Sequence, residues 1–295
     1  MTSVWDPLSQ LWHRLRAPFM IHLKSQREIE RMRASADLVG RTLAEVARRI
    51  EPGVTLNELD RAAEAFIRTH DAEPAFKGYQ VGQNVFPGTL CTSVNEAVVH
   101  GIPDEYALQE GDVLSVDCGV KLDGYYGDSA FTFAVGTPSA EDAALCRRTY
   151  EALHRGIEQA VSGNRVGDIG HAVQTHCESA GYGIVRDLVG HGIGEELHED
   201  PQVPNFGQPG RGRRLKPGLA LCIEPMVNRG TPDVTTDADG WTIRAADGKT
   251  SAHYEHMVVV RDGEADILST FDYIEDVTRP PYALDALTQE STANG

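Results

Sequence analysis

Two aspartates, Asp117 and Asp128, lie in a stretch whose pattern predicts two short strands joined at Asp123-Gly124, a dipeptide that favours a two-residue hairpin loop. With that loop, Gly119 pairs with Asp128, and Asp117 lies on the same face because side chains alternate along a strand. The two aspartates are then diagonal neighbours, about 7–8 Å apart at the backbone. Carboxylates held together beside apolar strands repel each other and resist burial, which a bound cation would relieve. Taken alone, the pair also fits two solvated aspartates on an exposed hairpin face.

Three further residues stand in unusual settings. His191 lies in VGHGIG, Glu224 closes the apolar run LALCIEPMV, and Glu255 precedes the valines of HYEHMVVV. With the two aspartates they form a hard, oxygen-rich set of four carboxylates and one imidazole. Four negative charges approach neutrality with two divalent cations, so the set predicts two bridged metals at about 3.5–4 Å that acidify a shared water into a nucleophile. His100 and His198 are the candidates for binding the oxyanion that forms on an attacked carbonyl.

The elements around these residues follow a plan that occurs twice. A Ser25-capped helix over residues 25–50 is followed by a turn and a Thr55-capped second helix. About 110 residues later, helices are predicted over 141–161 and 166–180. The matching positions are Pro52-Gly53 with Ser162-Gly163, Leu56 with Val166, and Leu59 with Ile169. This predicts an α+β fold of two pseudo-symmetric halves, each with two helices and an antiparallel sheet, and a site at their junction. Chance similarity between amphipathic helices is the alternative.

Composition bounds the class of protein. The 295 residues carry a formal net charge of −17, which argues against non-specific binding of nucleic acid. No apolar run is long enough to span a membrane, and the N-terminus lacks the features of a secretory signal, so a cytoplasmic location is expected. The cysteines form no C-x-x-C pair, which favours reduced and mostly buried thiols; they are Cys91, Cys118, Cys146, Cys177 and Cys222.

The chain is expected to hold one catalytic domain over residues 21–278, between an N-terminal extension at 1–20 and a disordered tail at 279–295. The extension has leucines and a tryptophan at helical spacing and an excess of basic residues nearby. Docking of this segment on the body of the protein is the favoured interpretation. A transient contact with the anionic surface of the ribosome is a further hypothesis.

Several short motifs in fixed order resemble one peptidase family. They are NEAVVHGIP, SVDCG, GYYGDSAFTF, GHGIG-x-x-LHEDP, IEPMV and HYEHMVVV. Together they are similar to the type I methionine aminopeptidases, over a stretch from about Ile21 to Thr278. That family has the pita-bread α+β fold, with pseudo-symmetric halves around a dinuclear metal site. The resemblance implies removal of the initiator methionine from nascent chains whose second residue is small.

The resemblance also implies a role for each matching residue. The five family metal ligands correspond to Asp117, Asp128, His191, Glu224 and Glu255. Asp128 and Glu255 would bridge the metals, and Glu224 would shuttle protons for the metal-bridging hydroxide that attacks the peptide carbonyl. His198 would steady the developing oxyanion, and His100 would hydrogen-bond near the scissile amide. The methionine pocket would be lined by Phe76, Tyr79, Phe86, Cys91, Leu197 and Trp241.

This sequence departs from the family pattern near that pocket. More residues separate Tyr79 from Phe86 than in typical members. Val99 precedes the first histidine where some members have cysteine, and Leu197 stands where some members have an aromatic residue. The chemistry should survive these changes, whereas the shape of the pocket and the tolerance for the second residue are open. The native metals stay unassigned among cobalt, manganese, iron(II) and zinc.

Two other functions compete with this one. An Xaa-Pro aminopeptidase or prolidase would share the fold, but those enzymes usually carry a separate N-terminal domain. A non-catalytic pita-bread binding protein would be expected to have lost metal ligands, and all five are present here. A monomer acting on nascent polypeptide N-termini, without specific nucleic acid or membrane partners, is the expected state.

Overall fold

A computed structural model describes residues 21–278 and 280–281. The helices are α1 (Gln26–Ala47), α2 (Leu56–Arg68), α3 (Ala140–Ile157), α4 (Val166–Glu178) and the short α5 (Asp272–Glu275). The strands of the first half are β1 (Glu73–Pro74), β2 (Gln80–Val81), β3 (Asn84–Val85), β4 (Leu90–Val94), β5 (Ala97–Val99), β6 (Val113–Leu122) and β7 (Tyr125–Ala134). The later strands are β8 (Gly183–Ile184), β9 (Val189–Gly192), β10 (Glu199–Pro204), β11 (Ala220–Ile223), β12 (Met226–Asn228), β13 (Val234–Thr236), β14 (Ile243–Ala245), β15 (Ser251–His253), β16 (His256–Val259) and β17 (Asp266–Ile267).

Two antiparallel sheets position the site. In one, β6 is central: β1 and β4 each pair with part of it, and β7 pairs with it along its whole length. In the other, the order is β10-β9-β11-β16-β17. The hairpin between β6 and β7 turns at Asp123 and Gly124, whose φ angles are +49° and +86°. Both values suit the two-residue turn that the sequence predicts, and Gly119 pairs with Asp128 as expected.

The repeat predicted from the helices extends to individual hydrogen bonds. The turns before α2 and α4 contain Gly53 and Gly163, with φ angles of +96° and +97°. Gly53 N–H donates to the Leu108 carbonyl, and Gly163 N–H donates to the Leu215 carbonyl. Since the two turns share both backbone conformation and partner position, the similarity is structural and not a coincidence of helix patterns.

The same repeat appears at the starts of the two helices. Glu58 accepts a hydrogen bond from the backbone N–H of Thr55, and Asp168 accepts one from that of Arg165. Thr55 and Arg165 are the N-cap residues of α2 and α4. The molecule therefore mixes helices with antiparallel sheet in two similar halves, as predicted, although α3 and α4 are shorter than the predicted 141–161 and 166–180.

Strand β7 joins the halves to each other. The hydroxyl of Ser129 donates to the Glu255 carbonyl at 2.7 Å, and Glu255 N–H donates to the Ala130 carbonyl at 2.9 Å. Thr132 continues the seam, because its Oγ1 donates to the carbonyl of His253 at 2.7 Å. The segment that carries Glu255 is thus fixed directly against the strand that carries Asp128.

The ends of the chain lie largely outside the described residues. The predicted extension at 1–20 falls there entirely, as does the tail at 279–295 except for Pro280 and Pro281, which are buried. Among the helices that the structure describes, none combines the length and apolar character needed to cross a bilayer.

Candidate metal centre

The β6–β7 hairpin supplies two carboxylates from the first half. Asp117 lies opposite Ala130 on one side and Cys91 of β4 on the other, while Asp128 lies opposite Gly119. The register places the two aspartates on the diagonal that the sequence predicts. The Asp128 side chain is 4% exposed, so it lies at the floor of the site.

The second half supplies three residues from neighbouring strands. His191 lies on β9, Glu224 directly follows β11, and Glu255 directly precedes β16. Strands β11 and β16 are paired so that Ile223 lies opposite His256. Glu224 adjoins Ile223 and Glu255 adjoins His256, so the two glutamates lie at the same end of this strand pair. Both reach the junction between the halves.

These five side chains converge. The Nε2 atom of His191 lies 3.8 Å from Oδ2 of Asp128 and 3.7 Å from Oε1 of Glu224. Ligand atoms of Asp128, His191, Glu255 and Cys222 all lie within 4.8 Å of one another. The side chains of Asp117 and Asp128 also interact directly with each other. The structure thus brings together every residue predicted to bind metal.

Burial makes this cluster electrostatically costly for the protein alone. Removal from water raises the pKa of Asp117 to about 7. Removal from water, followed by the charges of neighbouring carboxylates, raises the pKa values of Asp128, Glu224 and Glu255 well above their ordinary values. Four carboxylates so close together cannot all be ionised without a compensating positive charge.

The donor atoms fit divalent cations. His191 Nδ1 lies 2.9 Å from the Gly192 carbonyl, an acceptor that requires the proton on Nδ1 and leaves the lone pair of Nε2 toward the carboxylates. Buried carboxylate oxygens of Asp117, Asp128 and Glu255 have no hydrogen-bond partner in the protein. A buried polar atom without a partner is costly, so these oxygens are suited to a cation.

Two more histidines flank the cluster. His100 follows β5 with a φ angle of +58°, in the left-handed region that few residues other than glycine adopt. A Cβ on the next residue, Gly101, would lie 2.1 Å from the Thr92 carbonyl oxygen, so only glycine fits there. Desolvation lowers the pKa of His100 to about 4 and that of His198 well below its ordinary value. Both imidazoles are therefore neutral near pH 7.

An apolar cluster lies beside the histidines and contains all six residues predicted for the methionine pocket. Phe76, Phe86, Cys91 and Leu197 are buried, and Tyr79 and Trp241 are partly buried against them. Phe86 and Trp241 meet edge to face with ring centroids 5.3 Å apart. This places the base of the β2–β3 hairpin against a loop of the other half. The role of these side chains toward a substrate stays a prediction.

Three residues near the site were missed by the sequence analysis. Cys222 and His253 each lie two residues before a predicted ligand, and the two-residue period of a strand could have indicated that they share its face. His253 Nε2 lies 3.8 Å from Oε2 of Glu224. Burial, followed by the charges of Glu255 and Asp128, raises the pKa of the Cys222 thiol well above its ordinary value.

The third missed residue is Lys24, which comes from the start of the described chain. Its Nζ contacts both carboxylate oxygens of Glu199, at 2.7 and 3.0 Å, although its own side chain is only 1% exposed. Glu199 directly follows His198 and also accepts a hydrogen bond from Glu195 N–H. No local pattern in the sequence points to this pair, because 175 residues separate its members.

Comparison with known proteins agrees with this geometry. The model of metallopeptidase family M24 matches residues 30–262. A curated methionine aminopeptidase of Clostridium acetobutylicum is 51% identical over 251 residues, which cover 85% of this chain and 99% of that protein. The crystal structure of methionine aminopeptidase from Rickettsia prowazekii superposes with a TM-score of 0.83 at 37% identity, covering 85% of this chain and all of that one.

A more distant structure shares only the fold. The prolidase of Pyrococcus horikoshii superposes with a TM-score of 0.70 at 20% identity. The match covers 86% of this chain but 65% of the prolidase. The alternative function predicted from the sequence therefore corresponds to a larger protein that contains the same architecture.

Proposed function

The chain belongs to metallopeptidase family M24 and has its pita-bread fold, and we propose that it removes the N-terminal methionine from chains whose second residue is small. One observation carries this function: four carboxylates and an imidazole converge, with buried oxygens that lack protein partners, beside an apolar cluster. The curated relatives that match nearly end to end are methionine aminopeptidases.

The converging side chains would hold two divalent cations. Asp117, Asp128, His191, Glu224 and Glu255 would supply the donors, and Asp128 and Glu255 would be the shared ones, as the resemblance to the family implies. When bound, such cations lower the pKa of water and polarise a carbonyl. Oxygen and imidazole donors suit manganese, iron(II), cobalt and zinc alike, so the donor set does not select among them.

Glu224 and the two flanking histidines would also act in the reaction. Glu224 would take the proton of the attacking water and deliver it to the leaving amine. His198, neutral and beside the cluster, would donate a hydrogen bond to the carbonyl oxygen as negative charge develops there. His100 would hydrogen-bond the scissile amide and hold it in line with the attack.

The apolar cluster would receive the methionine side chain. Burying a side chain of that size is worth about 2 kcal/mol, and the thioether packs favourably against aromatic rings such as those of Tyr79, Phe86 and Trp241. The preference for a small second residue is carried over from the resemblance to the family. The nascent N-termini that carry methionine arise in the cytoplasm, where we place the enzyme as a monomer; ribosome contact through residues 1–20 stays a hypothesis.

Peptide hydrolysis after metal reconstitution tests this function. Protein stripped with a chelator is loaded separately with each of the four metals and assayed on Met-Ala-Ser, with Met-Phe-Ser and an Xaa-Pro peptide as matched alternatives. We expect metal-dependent release of methionine from Met-Ala-Ser and little from Met-Phe-Ser. Cleavage of the Xaa-Pro peptide alone would show a prolidase, and inactivity with every metal and peptide would indicate a binding protein.

A further inference from the structure

A tyrosine of the apolar cluster is hydrogen-bonded to one of the flanking histidines. The hydroxyl of Tyr79 lies 2.7 Å from Nδ1 of His198, and the two rings meet edge to face with centroids 5.2 Å apart. The ring of His198 also meets that of His191, with centroids 4.4 Å apart. Tyr79 therefore contacts the imidazole at Nδ1, the nitrogen that is not assigned to the substrate in the proposed function.

We infer that Tyr79 is a positioning residue for His198: its hydroxyl donates to Nδ1 and so keeps the imidazole proton on Nε2. This inference rests on the proposed function, in which His198 donates to the substrate carbonyl. It goes beyond the role of Tyr79 as a wall of the methionine pocket. The same side chain would serve the pocket and the catalytic histidine.

The tautomer decides whether His198 can stabilise an oxyanion. A neutral imidazole carries one proton, so one ring nitrogen donates and the other accepts. When the hydroxyl of Tyr79 donates to Nδ1, the proton resides on Nε2 and can be given to a carbonyl oxygen. With the proton on Nδ1 instead, Nε2 would present a lone pair to that oxygen and repel it.

Backbone hydrogen bonds fix Tyr79 where this contact requires it. Its N–H donates to the Phe76 carbonyl and its carbonyl accepts from Phe86 N–H, each at 2.8 Å. Gly78 N–H closes the other side by donating to the Phe86 carbonyl at 2.9 Å. Tyr79 thus lies at the base of the β2–β3 hairpin, the loop that is longer here than in typical family members.

His198 is held equally firmly from the other half. It precedes Glu199, which Lys24 and the Glu195 backbone hold in place. Tyr79 and His198 are 119 residues apart in the chain, so only folding at the junction brings them together. Rigid support on both sides is what a positioning hydrogen bond needs to fix a ring orientation.

Kinetics of Tyr79→Phe in the metal-loaded enzyme give the first test. The variant keeps the ring that packs in the pocket and removes only the hydroxyl. We expect kcat for Met-Ala-Ser to fall about 10-fold to 100-fold, as for other supporting hydrogen bonds, with little change in KM. Tyr273→Phe, which also removes a hydrogen-bonding hydroxyl but from a tyrosine that contacts Asp37, should leave both constants near wild type. A raised KM with unchanged kcat would reduce Tyr79 to a pocket wall.

A double variant separates action through His198 from direct action on the substrate. If Tyr79 acts through the imidazole, Tyr79→Phe should cause no further loss when it is added to His198→Ala. Losses that multiply would overturn the inference. Inactivity of the wild-type enzyme on Met-Ala-Ser would instead remove the proposed function, which is a distinguishable result.

Nitrogen NMR reports the tautomer without any turnover. Protein labelled with ¹⁵N-histidine and loaded with diamagnetic zinc is compared with His198→Gln to assign the His198 resonances. We expect a protonated Nε2 and an unprotonated Nδ1 in the wild type, and a mixture of both tautomers in Tyr79→Phe. A wild-type spectrum with the proton on Nδ1 would contradict the inference, even if the variant proved too unstable to assay.

Discussion

Asp60 and Asp128 are both buried carboxylates, 8% and 3% exposed, and the protein surrounds them differently. Asp60 accepts hydrogen bonds from the backbone N–H groups of Thr89 and Leu90, at 2.7 and 2.9 Å. Asp128 has an oxygen with no protein partner and faces the like charge of Glu255. The carboxylate that supports the fold accepts hydrogen bonds from backbone N–H groups. The carboxylate at the candidate metal centre lies among other acceptors.

Glu199 makes the same point with an ion pair. Its counter-ion Lys24 belongs to the chain, so the charge is balanced whether or not anything binds. At the candidate metal centre no lysine or arginine among the described residues contacts the four carboxylates in an ion pair. The contrast indicates that the positive charge there comes from outside the polypeptide, and it can be tested by equal substitutions in the two regions.

Asp128→Asn should have the largest effect. We expect turnover of Met-Ala-Ser to fall by about 10³-fold or more, because the donor proposed to be shared by both cations is lost. Without metal, the variant should be no less stable than wild type, since one of several repelling charges is gone. Turnover and urea unfolding, each with and without metal, provide the measurement.

Asp60→Asn is the matched control for that substitution. It removes the same charge from a buried site but keeps a carbonyl oxygen that can accept from Thr89 and Leu90. Turnover should stay near wild type, with at most a modest loss of stability. If Asp60→Asn and Asp128→Asn impaired turnover equally, the distinction between the two regions would fail.

Much of this contrast could be predicted from the sequence. The Asp123-Gly124 turn fixes the register of its hairpin, and that register fixes the relative positions of the two aspartates because the side-chain period is two. The motifs around His191, Glu224 and Glu255 named the other members of the site. The repeated turns at Gly53 and Gly163 indicate two similar halves from the sequence alone.

Other features depend on long-range contacts that no local pattern encodes. Lys24 and Glu199 are distant in sequence, and either would be expected on the surface by composition alone. The bond between Tyr79 and His198 requires the β2–β3 hairpin of one half to meet a loop of the other. For Cys222, the two-residue period of a strand indicates that it shares the face of Glu224, but its approach to Glu255 depends on how β11 and β16 pair.

Chelation should have the next largest effect. A ligand that binds only the native state stabilises it by about 2.7 kcal/mol at a concentration 100 times its Kd. We therefore expect a chelator to lower the Tm of wild type and to leave that of Asp128→Asn nearly unchanged. Equal melting curves for wild type with and without chelator would contradict a metal coupled to folding.

The pH dependence of the metal-free protein sharpens the comparison further. The pKa of Asp117 is raised from 3.8 to about 7 in the fold, so the native state holds a proton that the unfolded state releases. Stability from this group is fully present at low pH and is lost as pH rises across that interval. Buried histidines such as His253, whose pKa is lowered to about 3, act in the opposite direction.

A difference between two proteins cancels the histidine contribution. The free energy of unfolding of metal-free wild type, minus that of metal-free Asp117→Asn, should decrease from about pH 4 to pH 7. Urea titrations across this range measure it. A difference that stays flat would show that Asp117 ionises normally in the fold, and the repulsion invoked for the site would be too weak to require cations.

Lys24→Met should have the smallest effect of these substitutions on metal binding, but it should lower the free energy of unfolding. The side chain keeps its apolar length and loses the charge that balances Glu199, which would cost about 2 kcal/mol of unfolding free energy. Lys77→Met removes an equally short contact, 2.6 Å to Glu64, but from a side chain that is 40% exposed. That control should cost less than about 1 kcal/mol because water screens and replaces the pair.

Adding Glu199→Gln to Lys24→Met should recover part of the loss, since no uncompensated charge remains. The metal-induced rise in Tm should be the same in all of these variants and in wild type, because the pair carries its own counter-ion. A metal-induced rise that shrank in Lys24→Met would instead connect the start of the described chain to the metal centre through Glu199 and the neighbouring His198. In that case the two regions contrasted above would be parts of one coupled unit.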